Sequence, residues 1–165
     1  MRTATNTATN TVTNTVGTSG SHPFDMPAAA HSYLERAASS LREAITSSEV
    51  TQRYAHAHVA ALRATAALLA ARAHPTFGHR RGRPQQKNAW VLLAEVAPEF
   101  SEWAAFFAAG AAKRAAAEAG SQRAVSKREA DDLVRDADRF LGLVEQSLGL
   151  TKHVPFQEYL PGHVA

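Results

Sequence analysis

Arg53 and His58, five positions apart, carry the sharpest chemical signal in the chain. A guanidinium holds a phosphate through two parallel hydrogen bonds, and an imidazole with a pKa near neutrality moves a proton. Together they suffice for metal-free cleavage of RNA, in which the substrate's own 2′-hydroxyl is the nucleophile. On a straight helix, positions five apart lie about 140° apart, so the two side chains do not share a face. They converge only across a subunit interface or at a frayed first turn. The other reading makes His58 a hydrogen-bonded core residue and Arg53 a surface charge near the helix start. His56 and His58 fall on nearly opposite sides of a helix and cannot chelate one metal. The eight histidines are scattered with no clustered carboxylate partner, so no metal and no cofactor is expected.

The second candidate is the run His79-Arg80-Arg81-Gly82-Arg83-Pro84-Gln85-Gln86-Lys87, which holds four cations and no acid. Arg81-Gly82-Arg83-Pro84 resembles the core of an AT-hook, whose extended arginines lie in the narrow, strongly negative minor groove of AT-rich DNA. A loop contacting phosphate without reading sequence and a plain solvated basic loop are the competing readings. Asp131, Asp132, Arg135, Asp136, Asp138 and Arg139 look like a carboxylate cluster. However, Asp131–Arg135 and Arg135–Asp138 have the i,i+4 and i,i+3 spacings of an exposed helix face. Trp90, Phe100, Trp103 and Phe107 are most simply core. There is no glycine-rich phosphate loop, Ser-His-Asp arrangement or dinucleotide fingerprint.

Helices must position these residues. The first is predicted from the Asp25-Met26-Pro27 start to about Ala44, with Tyr33, Leu34, Ala37, Leu41 and Ala44 or Ile45 on one face. Thr46-Ser47-Ser48-Glu49 has the form of a capping box and opens a second helix reaching about Ala73. Its apolar positions, Val50, Tyr54, Ala57, His58, Ala61, Leu62, Thr65, Leu68 and Leu69, describe a narrow, alanine-lined face. After the basic loop, a third helix covers about Asn88 to Ala97. Pro98 either begins a new helical segment or kinks a continuous one. Phe100, Trp103, Phe106, Phe107 and Ala111 form the apolar side beyond it, and Gly120 is a stop. Ser126-Lys127-Arg128-Glu129 is a second capping box, ahead of a stripe of Leu133, Ala137, Phe140, Leu141, Val144 and Leu148 that Gly149 ends. Short links between the first and the last pair favour an all-α, up-down four-helix bundle with one helix broken near Pro98.

Composition agrees. Of 165 residues, 35 are alanine, the best helix former and a poor strand residue. With no cysteine, disulfides, thiol nucleophiles and cysteine-based zinc sites are all excluded. A formal charge of +3 is an ordinary solvated surface except where it clusters. Residues 3–16 repeat TATN-TATN-TVTN-TV and cannot bury enough surface to offset ordering entropy. The expected organisation is therefore a disordered Thr/Asn-rich tail over 1–26, a helical bundle over 27–149 and an extended tail over 150–165. Phe156, Tyr159 and Leu160 are candidates to dock the second tail. The start of the chain lacks the apolar core of a secretory signal, and the longest apolar stretch falls well short of the ~20 residues of a spanning helix. A cytoplasmic protein with no membrane association is expected.

Three stretches resemble a small actinobacterial branch of the HEPN (higher eukaryotes and prokaryotes nucleotide-binding) superfamily. They are Gln52–Arg63 with the basic loop, Ala89–Leu93 through Pro98-Glu99-Phe100 to Glu102–Phe107, and Arg128–Leu133. The resemblance spans about residues 30 to 148. It implies an all-α bundle, frequent homodimers and a link to RNA or nucleotides. Many members are metal-independent endoribonucleases with an Arg-x4–6-His site paired across a dimer, while others have lost it and bind or scaffold. Arg53 and His58 match that spacing. The family's motif usually begins a late helix, whereas Arg53 opens the second, and the late helix after Ser126 has no histidine.

Three functions follow: a non-catalytic HEPN domain binding RNA, a nucleotide or a protein partner; a metal-independent endoribonuclease using Arg53 and His58; and a helical interaction module without a nucleic-acid role. In the first, Arg80, Arg81, Arg83 and Lys87 contact nucleic acid. Changing Arg80, Arg81 and Arg83 together to alanine is then expected to weaken nucleic-acid binding with no loss of helical content. Circular dichroism beside a binding titration checks this, and unchanged affinity removes the loop from the account.

Overall fold

The computed structural model describes residues 26–72 and 87–156. These form α1 (Ala28–Thr46), α2 (Val50–Arg72), α3 (Ala89–Val96), a 3-10 turn (Pro98–Phe100), α4 (Ser101–Glu118) and α5 (Lys127–Ser147). The expected all-α architecture holds among the described residues, with α3 and α4 as the two pieces of the helix broken at Pro98. Proline disfavours the helical region for the residue before it, and Ala97 adopts φ −136°, ψ 72°. Asn88 caps α3 by accepting from the Trp90 N–H at 3.0 Å.

Two expected helix starts come out differently. Helix α1 begins after Pro27 without a side-chain cap, and Asp25 lies outside the described residues. The Thr46–Glu49 capping box does not form, because α1 runs through Thr46 and the Thr46 hydroxyl donates back to the Arg42 carbonyl at 2.9 Å. The Ser126 box does form: Ser126 Oγ accepts from the Glu129 N–H at 3.2 Å, and Glu129 Oε2 accepts from the Ser126 N–H at 2.8 Å. Gly120 and Gly149 take φ of 84° and 72° and close α4 and α5. Each end is a Schellman turn, with Ser121 N–H on the Ala116 carbonyl and Leu150 N–H on the Glu145 carbonyl.

Helix α2 is central and packs against α1, α3, α4 and α5. Its buried residues form two adjacent stripes, Thr51, Tyr54, His58, Ala61, Thr65 and Leu68 beside Ala57, Ala60, Ala64 and Ala67. The face is thus broad rather than narrow, while Val50, Leu62 and Leu69 are only partly buried. Small side chains let helix axes approach closely, so alanine positions that look like filler each admit a neighbour. The core's bulk comes from elsewhere. Phe107 and Phe140 are fully buried, their rings 5.2 Å apart, and Trp90 stacks on Phe107 at 5.3 Å. Burying such a ring contributes about 1.5–3 kcal/mol. Phe106, expected on the apolar side of α4, is 46% exposed, because Phe107 takes the inward position.

Candidate functional site

Arg53 lies in the first turn of α2. Its Nε and Nη2 donate to the Ser47 carbonyl at 3.2 and 2.8 Å, and Nη1 donates to Asp131 of α5. The last carbonyls of a helix lack intrahelical partners and carry partial negative charge, which suits a guanidinium. Ser47 is the C-terminal cap of α1, so one side chain closes α1, anchors the start of α2 and ties both to α5. Asp131 therefore faces Arg53 rather than Arg135, whose partner is Asp132 at 2.7 Å. Asp138, likewise read as a partner of Arg135, turns to His153.

His58 faces α4 and is 1% exposed. Its Nε2 lies 2.9 Å from the Phe107 carbonyl oxygen, which only accepts, so Nε2 carries the proton and Nδ1 is left with a lone pair. That Nδ1 is buried without a hydrogen-bond partner. The ring meets Trp90 and Phe107 edge-on, with centroids 5.6 and 5.9 Å away. Burial pushes its pKa down; the Phe107 hydrogen bond opposes this and the charge of Arg114 adds to it. Gly110 makes the close contact feasible, since a Cβ there would stand 3.0 Å from Tyr54 Oη and 3.4 Å from His58 Cδ2. Arg53 and His58 thus serve different parts of the chain: a three-helix junction and the aromatic core.

Of the four cations expected to contact nucleic acid, Arg80, Arg81 and Arg83 lie outside the described residues. Lys87 is exposed just before α3, with Nζ 2.7 Å from both carboxylate oxygens of Glu95. Arg72, which ends α2, pairs with Glu99 at 2.6 Å.

His56, set aside above as half of an impossible chelate, lines a groove instead. An open groove of about 580 Å³ runs between α1, α2 and the end of α4, with Glu43, Gln52, His56, Arg63 and Glu118 among its walls. His56 Nδ1 lies 3.1 Å from Glu43 Oε2, and Arg63 Nη1 donates to Ser40 Oγ at 2.6 Å. The spacing Gln52-His56-Val59-Arg63 is the signal that marks this polar stripe of α2 in sequence. A second groove, of about 520 Å³, lies between α4 and α5 and includes Tyr54, Phe106, Asp136 and Arg139. Among the described residues no group of three histidines or carboxylates is placed to hold a metal, and no helix is long and apolar enough to cross a membrane.

Residues 44–145 match the SAV_6107-like HEPN family. The chain belongs to that HEPN family. The matched region contains Arg53, His58, the basic run and the aromatic core, and it ends at Glu145, the last buried residue of α5. No curated protein and no solved structure matches the chain.

The setting of His58 in this HEPN domain has a measurable cost. His58→Ala removes a core ring and its hydrogen bond, with an expected loss of about 2–4 kcal/mol in chemical denaturation. A solvent-facing histidine would cost less than about 0.5 kcal/mol. Burial holds the folded ring's pKa below the value near 6.5 that it has when unfolded, so its contribution is full above about 6.5 and falls as the pH drops below it.

Proposed function

We propose that this HEPN domain acts by binding, with RNA or a nucleotide phosphate as ligand and the run Arg80, Arg81, Arg83 and Lys87 as the contact, and that it does not cleave. The observation that carries this reading is the His58 ring, shut into the core and hydrogen-bonded to the Phe107 carbonyl. A general base must come within hydrogen-bond reach of the proton it takes, which for RNA cleavage is the 2′-hydroxyl. A ring enclosed by Trp90 and Phe107 meets that demand only by leaving the core. Arg53 adds to the argument, since its donors already serve Ser47 and Asp131.

The basic run supports the choice of ligand. Arginine suits phosphate because its planar fork matches two oxygens at once, and the run itself contains no acid, although Lys87 at its end also pairs with Glu95. Binding of this kind releases counterions. Four cations on single-stranded RNA would give a slope of log affinity against log salt no steeper than about −3.

A labelled single-stranded RNA, incubated with the full chain in EDTA and titrated across salt concentrations, tests both halves. Intact RNA bound with a slope of about −2 to −3 is the expected result. Metal-independent cleavage that disappears in His58→Gln would contradict the reading and assign the chemistry to Arg53 and His58. Intact RNA with no salt-dependent binding would remove RNA as the ligand.

A further inference from the structure

Helix α5 ends in the Schellman turn at Gly149, which sends the chain back along its own helix. Four hydrogen bonds then hold residues 151–156 to two carboxylates. The His153 N–H and ring Nδ1 each lie 2.8 Å from Glu145 Oε2. Ring Nε2 lies 2.9 Å from Asp138 Oδ1, which also accepts from the Phe156 N–H at 3.0 Å. Asp138 and Glu145 are seven residues apart, two turns on one face, about 10.5 Å along the axis. The imidazole spans that gap.

Charge follows from geometry. Each ring nitrogen faces a carboxylate oxygen, and a neutral imidazole has only one N–H, which would leave a lone pair pointed at an acceptor. Only the imidazolium donates from both nitrogens. The side chains of His153, Asp138 and Glu145 are 14%, 16% and 9% exposed, so these ion pairs are shielded from solvent. The charged groups facing the ring are Asp138 and Glu145 of α5, with Lys152 beside it on the returning segment. Gly142 forms the floor: a Cβ there would stand 3.8 Å from Lys152 Cδ and 3.9 Å from His153 Cε1. Phe156 packs against the core as a partly buried anchor.

We propose that residues 151–156 are a charge-locked strap on α5, with His153 as its latch, and that removing the positive charge of His153 releases the strap while the bundle stays folded. The helix core does not depend on the latch, because its large buried side chains, Phe107, Phe140, Leu68, Leu93 and Leu141, all belong to the helices. The family match also stops at Glu145, so it includes both carboxylates and excludes the histidine.

The two carboxylates hold the His153 pKa up at about 9, against the opposing effect of burial. A histidine whose folded pKa lies above its free value stabilises the docked state fully below about 6.5 and loses that contribution as the pH rises through the folded value. Neutralising the ring should weaken docking on the order of a hundredfold.

The test is a pH titration of the isotope-labelled full chain by nuclear magnetic resonance, following the His153 ring and the His153 and Phe156 amides. The expected result is one shared midpoint near 9 for ring and strap, with the Leu68 and Phe140 amides unmoved. In His153→Gln the strap amides should exchange at least about tenfold faster at pH 7 with the bundle unchanged. Asp138→Asn should lower the midpoint by about one pH unit or more. A ring midpoint near 6.5, strap amides still protected in His153→Gln, or strap and bundle lost together would each overturn the proposal.

Discussion

Close packing along α2 is the constraint on which the rest of the bundle depends. Four helices share that surface, and they fit because it is lined with Ala57, Ala60, Ala61, Ala64 and Ala67, all fully buried. Alanine costs no side-chain entropy on ordering, but it contributes little apolar area. The bulk must therefore come from the neighbours, and the cluster of Trp90, Trp103, Phe107 and Phe140 supplies it. The same economy of space recurs where α4 crosses α2, at Gly110, and there the consequence for chemistry is direct. The contact that brings α4 onto Tyr54 and His58 also seals the imidazole away from solvent.

Two histidines show how the setting decides what the residue does. His58 sits among aromatic edges with a single carbonyl as its partner, so desolvation prevails and the neutral ring is favoured. His153 is also shielded, yet a carboxylate faces each of its nitrogens, so ion pairing prevails over desolvation and the cation is favoured. One ring behaves as a polar core residue and the other as a charged fastening. Neither has the exposed, near-neutral character of a proton carrier poised at the surface.

The fold was largely legible in the sequence because its signals are local. Asn88 and Pro98 bracket α3, the Ser126-x-x-Glu129 pattern opens α5, and Gly120 and Gly149 close α4 and α5, each through chemistry within a few residues. The site was less legible because its contacts are long-range. Nothing near Arg53 indicates that Asp131 will meet it across 78 positions, and nothing near His58 points to the Phe107 carbonyl 49 positions away. The 140° separation on the helix did show that the two residues could not act together on one face. Thr46 misled because a capping box and a helix's last turn use the same residue types, and only the length of the turn separates them. Phe156 was legible as a docking residue and packs against the core, while Tyr159 and Leu160 lie outside the described residues. The His153 contacts were missed because the histidine and its two carboxylates form a constellation that exists only once Gly149 has reversed the chain.

The central claim is that His58 is a neutral, buried packing residue. An imidazole proton–nitrogen correlation spectrum of the full chain, recorded from pH 8 to pH 5, tests it directly. The account requires a single tautomer protonated at Nε2, with slow solvent exchange of that proton and any titration displaced below 6.5, the direction burial imposes. A His58 ring in rapid exchange between tautomers, titrating with a midpoint near 6.5, would contradict it and return Arg53 and His58 to the surface as a catalytic pair.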